Sequence, residues 1–255
     1  DYIIGFMFYK FLSDKELQFL KANDFTDENI SSLTEEDVEA VEFIKENLGY
    51  FIPYTHLFST WISKGSDFEI ANIRDALNSF SRHIENKKVF EGIFSTLQNG
   101  LSNLGKDAAS QTKAASSLIH LIKSIPMDGK QDYDVLGLIY EYLLGMFAAD
   151  AGKKAGEFYT PHEVSLLMSE IIADHLKDRD NIAIYDPTSG SGSLLINIGQ
   201  SIARHIDSKN NVKYYAQELK QNTYNLTRMN LIMRGVLPSN IFTRNADTLE
   251  DDWPY

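Results

Sequence analysis

Asp186, Gly190 and Gly192 stand close together in the stretch Tyr185-Asp186-Pro187-Thr188-Ser189-Gly190-Ser191-Gly192-Ser193. An apolar run, Ile182 to Tyr185, leads into it and a helical pattern, Leu194 to His205, leaves it. A strand ending in an acid, a turn on two glycines and a helix start together form a grip for a nucleotide-like ligand. The glycines let the backbone turn sharply and come close to the ligand. The helix start supplies N–H groups with no partner inside the helix. Two more apolar runs end the same way. Val212 to Ala216 stops at Gln217-Glu218, and Ile241 to Arg244 stops at Asn245-Ala246-Asp247-Thr248.

Residue types narrow the ligand. The dinucleotide pattern G-x-G-x-x-G is matched only at its first two glycines, because Leu195 stands where the third belongs. No lysine follows the turn as a phosphate-binding P-loop requires. Asp186 ahead of the glycines suits a positively charged amino-acid group better than a pyrophosphate. Glu218 can accept both hydroxyls of a ribose, and Asp247 can accept from an adenine amino group. Amino group, ribose and adenine together describe S-adenosylmethionine. A dinucleotide-dependent oxidoreductase is the alternative from another enzyme class, and a non-catalytic interaction subunit with a vestigial cofactor fold is the third reading.

These residues need a scaffold. Strand, helix, strand, helix (Gln221 to Arg234, stopped by Gly235) and strand make one half of a doubly wound α/β sheet. Upstream, Asp134 to Ala148 reads as a long apolar helix and 151–156 as a loop. Glu157-Phe158-Tyr159-Thr160-Pro161-His162-Glu163-Val164 then opens a helix running to Leu176. Thr160 is its N-cap, Pro161 the first helical residue, Glu163 completes a capping box, and Tyr159 with Val164 can form a hydrophobic staple. Capping does not explain why Glu157, Phe158 and Tyr159 precede it. An aromatic pair beside an acid could cover and anchor a ligand with a flat ring and a cationic group.

The first half reads as helical, a docking module of residues 1–127 ahead of a cofactor domain of residues 128–255. Ile3, Ile4, Met7, Phe8, Phe11 and Leu12 recur at helical spacing, and Phe6 and Tyr9 fill the other side, so this helix must be buried. Thr34-Glu35-Glu36-Asp37 opens a second helix with Val38, Val41, Ile44 and Leu48 as its stripe and Gly49 as its stop. Residues 50–62 predict a loop and a short helix in the core. Further helices are expected over 68–84, over 88–97 and over 114–125, the last with Leu118, Leu121 and Ile122 inward, and 99–112 is expected as a loop. His56, His83 and His120 are scattered and read as surface or capping residues, and no metal-ligand spacing stands out.

Composition sets the outer bounds. At 255 residues with 43% hydrophobic side chains, the chain can build one large domain or two ordinary ones. It has no cysteine, which excludes disulfides and thiolate chemistry in these residues. No apolar run reaches the roughly 18 residues of a membrane span. Tyr2 to Leu12 is interrupted by Lys10 and lacks a cleavage-site pattern, so a cytoplasmic, soluble protein is expected. The net charge of −12 argues against this chain gripping nucleic acid by itself, since phosphate neutralisation needs clustered Lys and Arg.

The motifs resemble those of the modification (methyltransferase) subunits of type I restriction-modification systems. The family's Gly-Glu-Phe-Tyr-Thr-Pro segment is matched by Gly156 to Pro161, and its Asp-Pro turn with two glycines by Asp186 to Ser193. Ile4 to Ser13 is similar to the start of the family's helical domain. The resemblance implies an adenine-specific, S-adenosylmethionine-dependent DNA methyltransferase with a Rossmann-like sheet. Its partners would be a separate specificity subunit and a restriction subunit, and it would reach double-stranded DNA through that complex. It carries cofactor contacts over to Glu157, Phe158, Tyr159, Thr160, Pro161, His162, Asp186, Pro187, Thr188, Ser189, Gly190, Gly192 and Ser193, and to Glu218 and Asp247. The family's catalytic Asn or Asp followed by Pro-Pro and an aromatic residue has no match, because Trp253-Pro254-Tyr255 holds one proline and no Asn or Asp in place. With no Met at position 1 and a sheet of three strands, the expectation is a fragment, inactive alone, whose catalytic motif lies beyond Tyr255.

Overall fold

In the computed structural model, residues 2–85, 87–127, 142, 160, 162–204 and 212–251 are described. They fall into two compact units, Asp1–Val135 and Leu136–Tyr255. Apart from Tyr142, which is helical and exposed, the expected helix Asp134 to Ala148 lies outside the described residues, as do the loop 151–156, Glu157, Phe158, Tyr159 and Pro161.

The first unit is built around α1 (Tyr2–Ala22), whose residues from Ile4 to Ser13 are all buried. A helix apolar on every side has no solvent face to offer, so other helices surround it. These include α3 (Val38–Leu48), α4 (Phe58–Ser63), α7 (Ser95–Gly100) and α8 (Ala108–Lys123). Tyr9 stacks on Trp61 with ring centroids 4.7 Å apart, and Phe8 and Tyr9 both meet Phe94. Polar side chains of α1 satisfy the irregular chain over 50–58. The Ser13 hydroxyl accepts from the Phe58 N–H at 2.9 Å, and Glu16 Oε2 accepts from the Ile52 N–H at 2.9 Å.

Burial pushes the Glu16 carboxyl well above its ordinary value of 4.5, against the opposing Ile52 hydrogen bond. A carboxyl whose folded pKa is raised contributes stability that is fully present below the unfolded pKa and lost as pH rises through the folded one. Glu16→Gln keeps an acceptor for Ile52 and removes the titration. Thermal melts against pH are therefore expected to show the variant gaining on the wild type as pH climbs above 4.5. A constant difference would contradict the assignment.

Several sequence expectations shift here. Residues 88–97 do not form one helix: α6 (Lys87–Phe90) and α7 are separated by a turn at Gly92, which sits at φ 63°. The segment 99–112 is not a loop. It holds the end of α7, a 3-10 turn Leu101–Leu104 and the start of α8, which Asp107 caps by accepting from the Ser110 N–H at 2.8 Å. Ala115, Ile119 and Ile122 make the buried stripe of α8, which turns Leu121 to solvent. Val38 is likewise exposed at the first position of α3. A further helix, α2 (Asp27–Ser32), rests on a Thr26–Asn29 capping box that the hydrophobic periodicity does not reveal.

The second unit contains α9 (His162–Leu176), β1 (Ile182–Asp186), α10 (Ser193–Ile202), β2 (Val212–Glu218), α11 (Gln221–Met233) and β3 (Ile241–Asn245). The sheet is parallel in the order β1-β2-β3. Ile182, Ile184, Val212, Tyr214, Ala216 and Ile241 are buried on the strands, and Ile196, Ile198, Met229 and Ile232 are buried on α10 and α11. Parallel strands force each crossover to return over the sheet, and this places all three strand ends on one edge of the unit. β2 runs two residues beyond Ala216 because Gln217 and Glu218 keep register with Arg244 and Asn245 of β3. Against α10, α9 is held by Asn197 donating to the Ser165 hydroxyl at 2.8 Å and Ser201 donating to Glu170 at 2.8 Å.

Candidate cofactor site

The turn after β1 needs its glycines: Gly190 and Gly192 sit at φ 57° and 80°, in the left-handed region that side chains resist. Gly192 is also the residue from which α10 starts. The turn is then fastened to the end of β2. The Ser189 N–H donates to the Gln217 carbonyl at 3.0 Å. The Gly190 N–H donates to Glu218 Oε2 at 3.1 Å, and the Lys220 N–H to Glu218 Oε1 at 2.9 Å. Glu218 thus has both oxygens fixed by backbone donors, and each keeps a lone pair for another hydrogen bond.

Asp186 is fixed in turn by the Thr188 N–H, which donates to its Oδ1 at 3.0 Å. Thr248 donates to the Pro187 carbonyl, tying the chain after β3 to the same turn. Asp247 accepts from the Leu249 N–H at 2.9 Å and so shapes the loop it belongs to. These groups surround a cavity of about 690 Å³, within the range of small-molecule sites. A smaller cavity of about 110 Å³ near Val212 and Asn240 is too small for a nucleoside.

Of the residues named from the sequence, Thr160, Asp186, Pro187, Thr188, Ser189, Gly190, Ser193, Glu218 and Asp247 line this one cavity. Gly192 is not on its wall and serves the turn. His162 begins α9, and Thr160 just before it is exposed. Sequence reasoning passed over Leu219 and Leu249, which also line the cavity and are 63% and 94% exposed. The signal was a leucine one residue after Glu218 and another two residues after Asp247, where neither has a core to enter.

Charge decides what the cavity favours. Burial raises the Asp186 carboxyl above its ordinary 3.8, the Thr188 hydrogen bond opposes this, and the negative charge of Glu218 adds to the rise. Two carboxylates facing one cavity disfavour an anionic pyrophosphate and favour a cation. A cation stabilises ionised Asp186, so its affinity is expected to grow as pH rises through the raised Asp186 pKa, above 3.8. Titrating S-adenosylmethionine at several pH values should show this trend in the wild type and lose it in Asp186→Asn. A trend unchanged in the variant would rule Asp186 out as its source.

A parallel sheet with a glycine turn and strand-end acids around one cavity, in a chain that also holds a helical unit, defines a Rossmann-like α/β fold. Residues 131–255 match the family model described as N-6 DNA Methylase, and residues 1–124 match the HsdM N-terminal domain. The MpnII methylase subunit of Mycoplasma pneumoniae, a type I restriction enzyme subunit, is 30% identical over 97% of this chain and 48% of its own length. The MjaVIII methylase subunit of Methanocaldococcus jannaschii is 29% identical over 92% of this chain and 37% of its own. A crystal structure of a type I restriction-modification methyltransferase subunit from Streptococcus thermophilus aligns with a TM-score of 0.83 at 34% identity, covering 98% of this chain and 54% of that one. The chain belongs to the family of type I restriction-modification methylase subunits, as its motifs implied. It spans about half the length, 48%, of the first of these relatives.

Proposed function

We propose that the protein containing this chain transfers a methyl group from S-adenosylmethionine to the adenine exocyclic amino group in DNA, as the modification subunit of a type I complex. The observation that carries the cofactor is the pair of carboxylates, Asp186 and Glu218, at neighbouring strand ends around one cavity with the glycine turn. Asp186 would receive the cofactor's ammonium group, Glu218 its ribose hydroxyls and Asp247 its adenine amino group. Leu219 and Leu249 would flank the flat base. The segment Glu157 to His162 would complete the grip, as the family resemblance implies. When bound, the cofactor supplies a methyl group made electrophilic by its sulfonium. The work of these residues is to bind and orient it, which lowers the barrier through positioning. No residue of this sequence is assigned the chemical step. The oxidoreductase reading loses support here, because Asp186 would face the pyrophosphate at the glycine turn.

Partners follow from charge. A chain of net charge −12 contributes little phosphate neutralisation, so the specificity and restriction subunits would bring the DNA, and residues 1–127 would provide docking surface. The setting would be the cytoplasm, and among the described residues no helix is long and apolar enough to cross a membrane. The test is a methylation assay with the full-length subunit, its specificity partner, methyl-labelled S-adenosylmethionine and duplex DNA. Label recovered in N6-methyladenine is expected. Label in cytosine, or none in DNA, would overturn the proposal.

A further inference from the structure

The glycine turn is fastened on a second side by a helix that contributes nothing to its sequence motif. Thr227 and Asn230 lie three residues apart on α11, on one face, and both are buried. Thr227 Oγ1 donates to the Gly190 carbonyl at 2.6 Å and lies 3.2 Å from the Ser189 hydroxyl. A hydroxyl carries one proton, so with that proton on Gly190 the Ser189 hydroxyl must be the donor to Thr227. The result is a directed chain, Ser189 to Thr227 to the Gly190 carbonyl, in which each bond polarises the next. Asn230 Nδ2 donates to the Ser191 carbonyl at 3.0 Å. The Thr227 methyl closes the remaining space, since a Cβ on Gly192 would stand 3.2 Å from it.

The turn is therefore gripped from both sides. Its N–H groups at Ser189 and Gly190 are held by the end of β2, and its carbonyls at Gly190 and Ser191 by α11. With the carbonyls drawn toward α11, the Gly190 and Ser191 peptides cannot rotate without leaving buried polar groups unpaired.

We propose that Thr227 and Asn230 are positioning residues that hold the Gly190–Ser191 peptides in the shape that receives the cofactor. The proposal rests on the cofactor reading above for its ligand, but the turn itself can be probed without one. Thr227→Val removes the hydroxyl at nearly constant shape, Asn230→Leu removes the amide, and Thr227→Ser restores the hydroxyl alone. Met229→Ala, buried on the same helix with no role assigned at the turn, controls for general loss of stability. In the full-length protein, amide exchange over residues 189–192 is expected to speed up by roughly tenfold or more in Thr227→Val and Asn230→Leu. The dissociation constant for S-adenosylmethionine should rise by a similar factor, with Thr227→Ser close to the wild type and Met229→Ala unchanged in both. Equal exchange in wild type and Thr227→Val, or equal loosening in Met229→Ala, would overturn the proposal. If the wild type binds no S-adenosylmethionine, the cofactor reading fails and the exchange result still decides the role of these two residues.

Discussion

Glu218→Ala is expected to weaken S-adenosylmethionine binding by about 100-fold or more, the effect of losing two hydrogen bonds to a charged acceptor. Two losses coincide in this one substitution. The ribose hydroxyls would lose their acceptor, and the Gly190 and Lys220 N–H groups, now fixed at 3.1 and 2.9 Å, would lose theirs. Glu218→Gln separates the two effects. An amide presents one acceptor oxygen and one donor nitrogen, so it can hold one of the two N–H groups and must turn its NH₂ toward the other. The glutamine variant should fall between wild type and alanine. Competitive binding with a fluorescent cofactor analogue would measure all three, and an alanine variant within twofold of wild type would remove Glu218 from the site.

Gly199→Val is expected to be the most damaging single change to the second unit. Gly199 lies in α10 where the helix crosses β2, and a Cβ there would stand 2.1 Å from the Tyr214 hydroxyl and 2.8 Å from two of its ring carbons. Tyr214 is a buried strand residue whose backbone is paired with both Ile184 and Ile241, so only its ring can give way, into the small cavity that it lines with Gly199. Overpacking of this kind costs up to about 3 kcal/mol, and a loss of that size lowers the melting temperature by roughly 10 °C. Tyr214→Val in the same chain should recover much of the loss by clearing the ring. Unfolding of Gly199→Val at the wild-type temperature would show that helix and strand can separate without strain, and no recovery in the double variant would show that the Tyr214 ring is not the source of the loss.

These two residues also mark how far the sequence could be read. Asp186, Gly190 and Gly192 were legible because each residue type states its own requirement, an acid at a strand end and backbone at positive φ. Glu218 was legible as a strand-end acid, but its clamp on the Gly190 N–H was not, because that bond joins residues 28 apart in the chain. Gly199 is unmarked in the sequence, and only the Tyr214 ring beneath it shows why no side chain fits. Nothing local in the sequence singles out Thr227 and Asn230, since their partners are backbone carbonyls of a turn on another crossover. In the first unit, the buried helix from Tyr2 was plain from its apolar surround. The break between α6 and α7 was hidden because Val89, Phe90, Ile93, Phe94 and Leu97 stay apolar across Gly92. Periodicity reports which side chains are buried and says little about where the backbone turns.

The cofactor grip is tested most directly by calorimetric titration of S-adenosylmethionine into the full-length subunit and its Asp186→Ala variant, with a nicotinamide dinucleotide as the comparison ligand. Saturable one-to-one binding by the wild type, at least tenfold weaker binding by Asp186→Ala and no heat from the dinucleotide are the expected results, the factor reflecting one lost charged hydrogen bond. Equal affinity in wild type and variant, or preference for the dinucleotide, would contradict it.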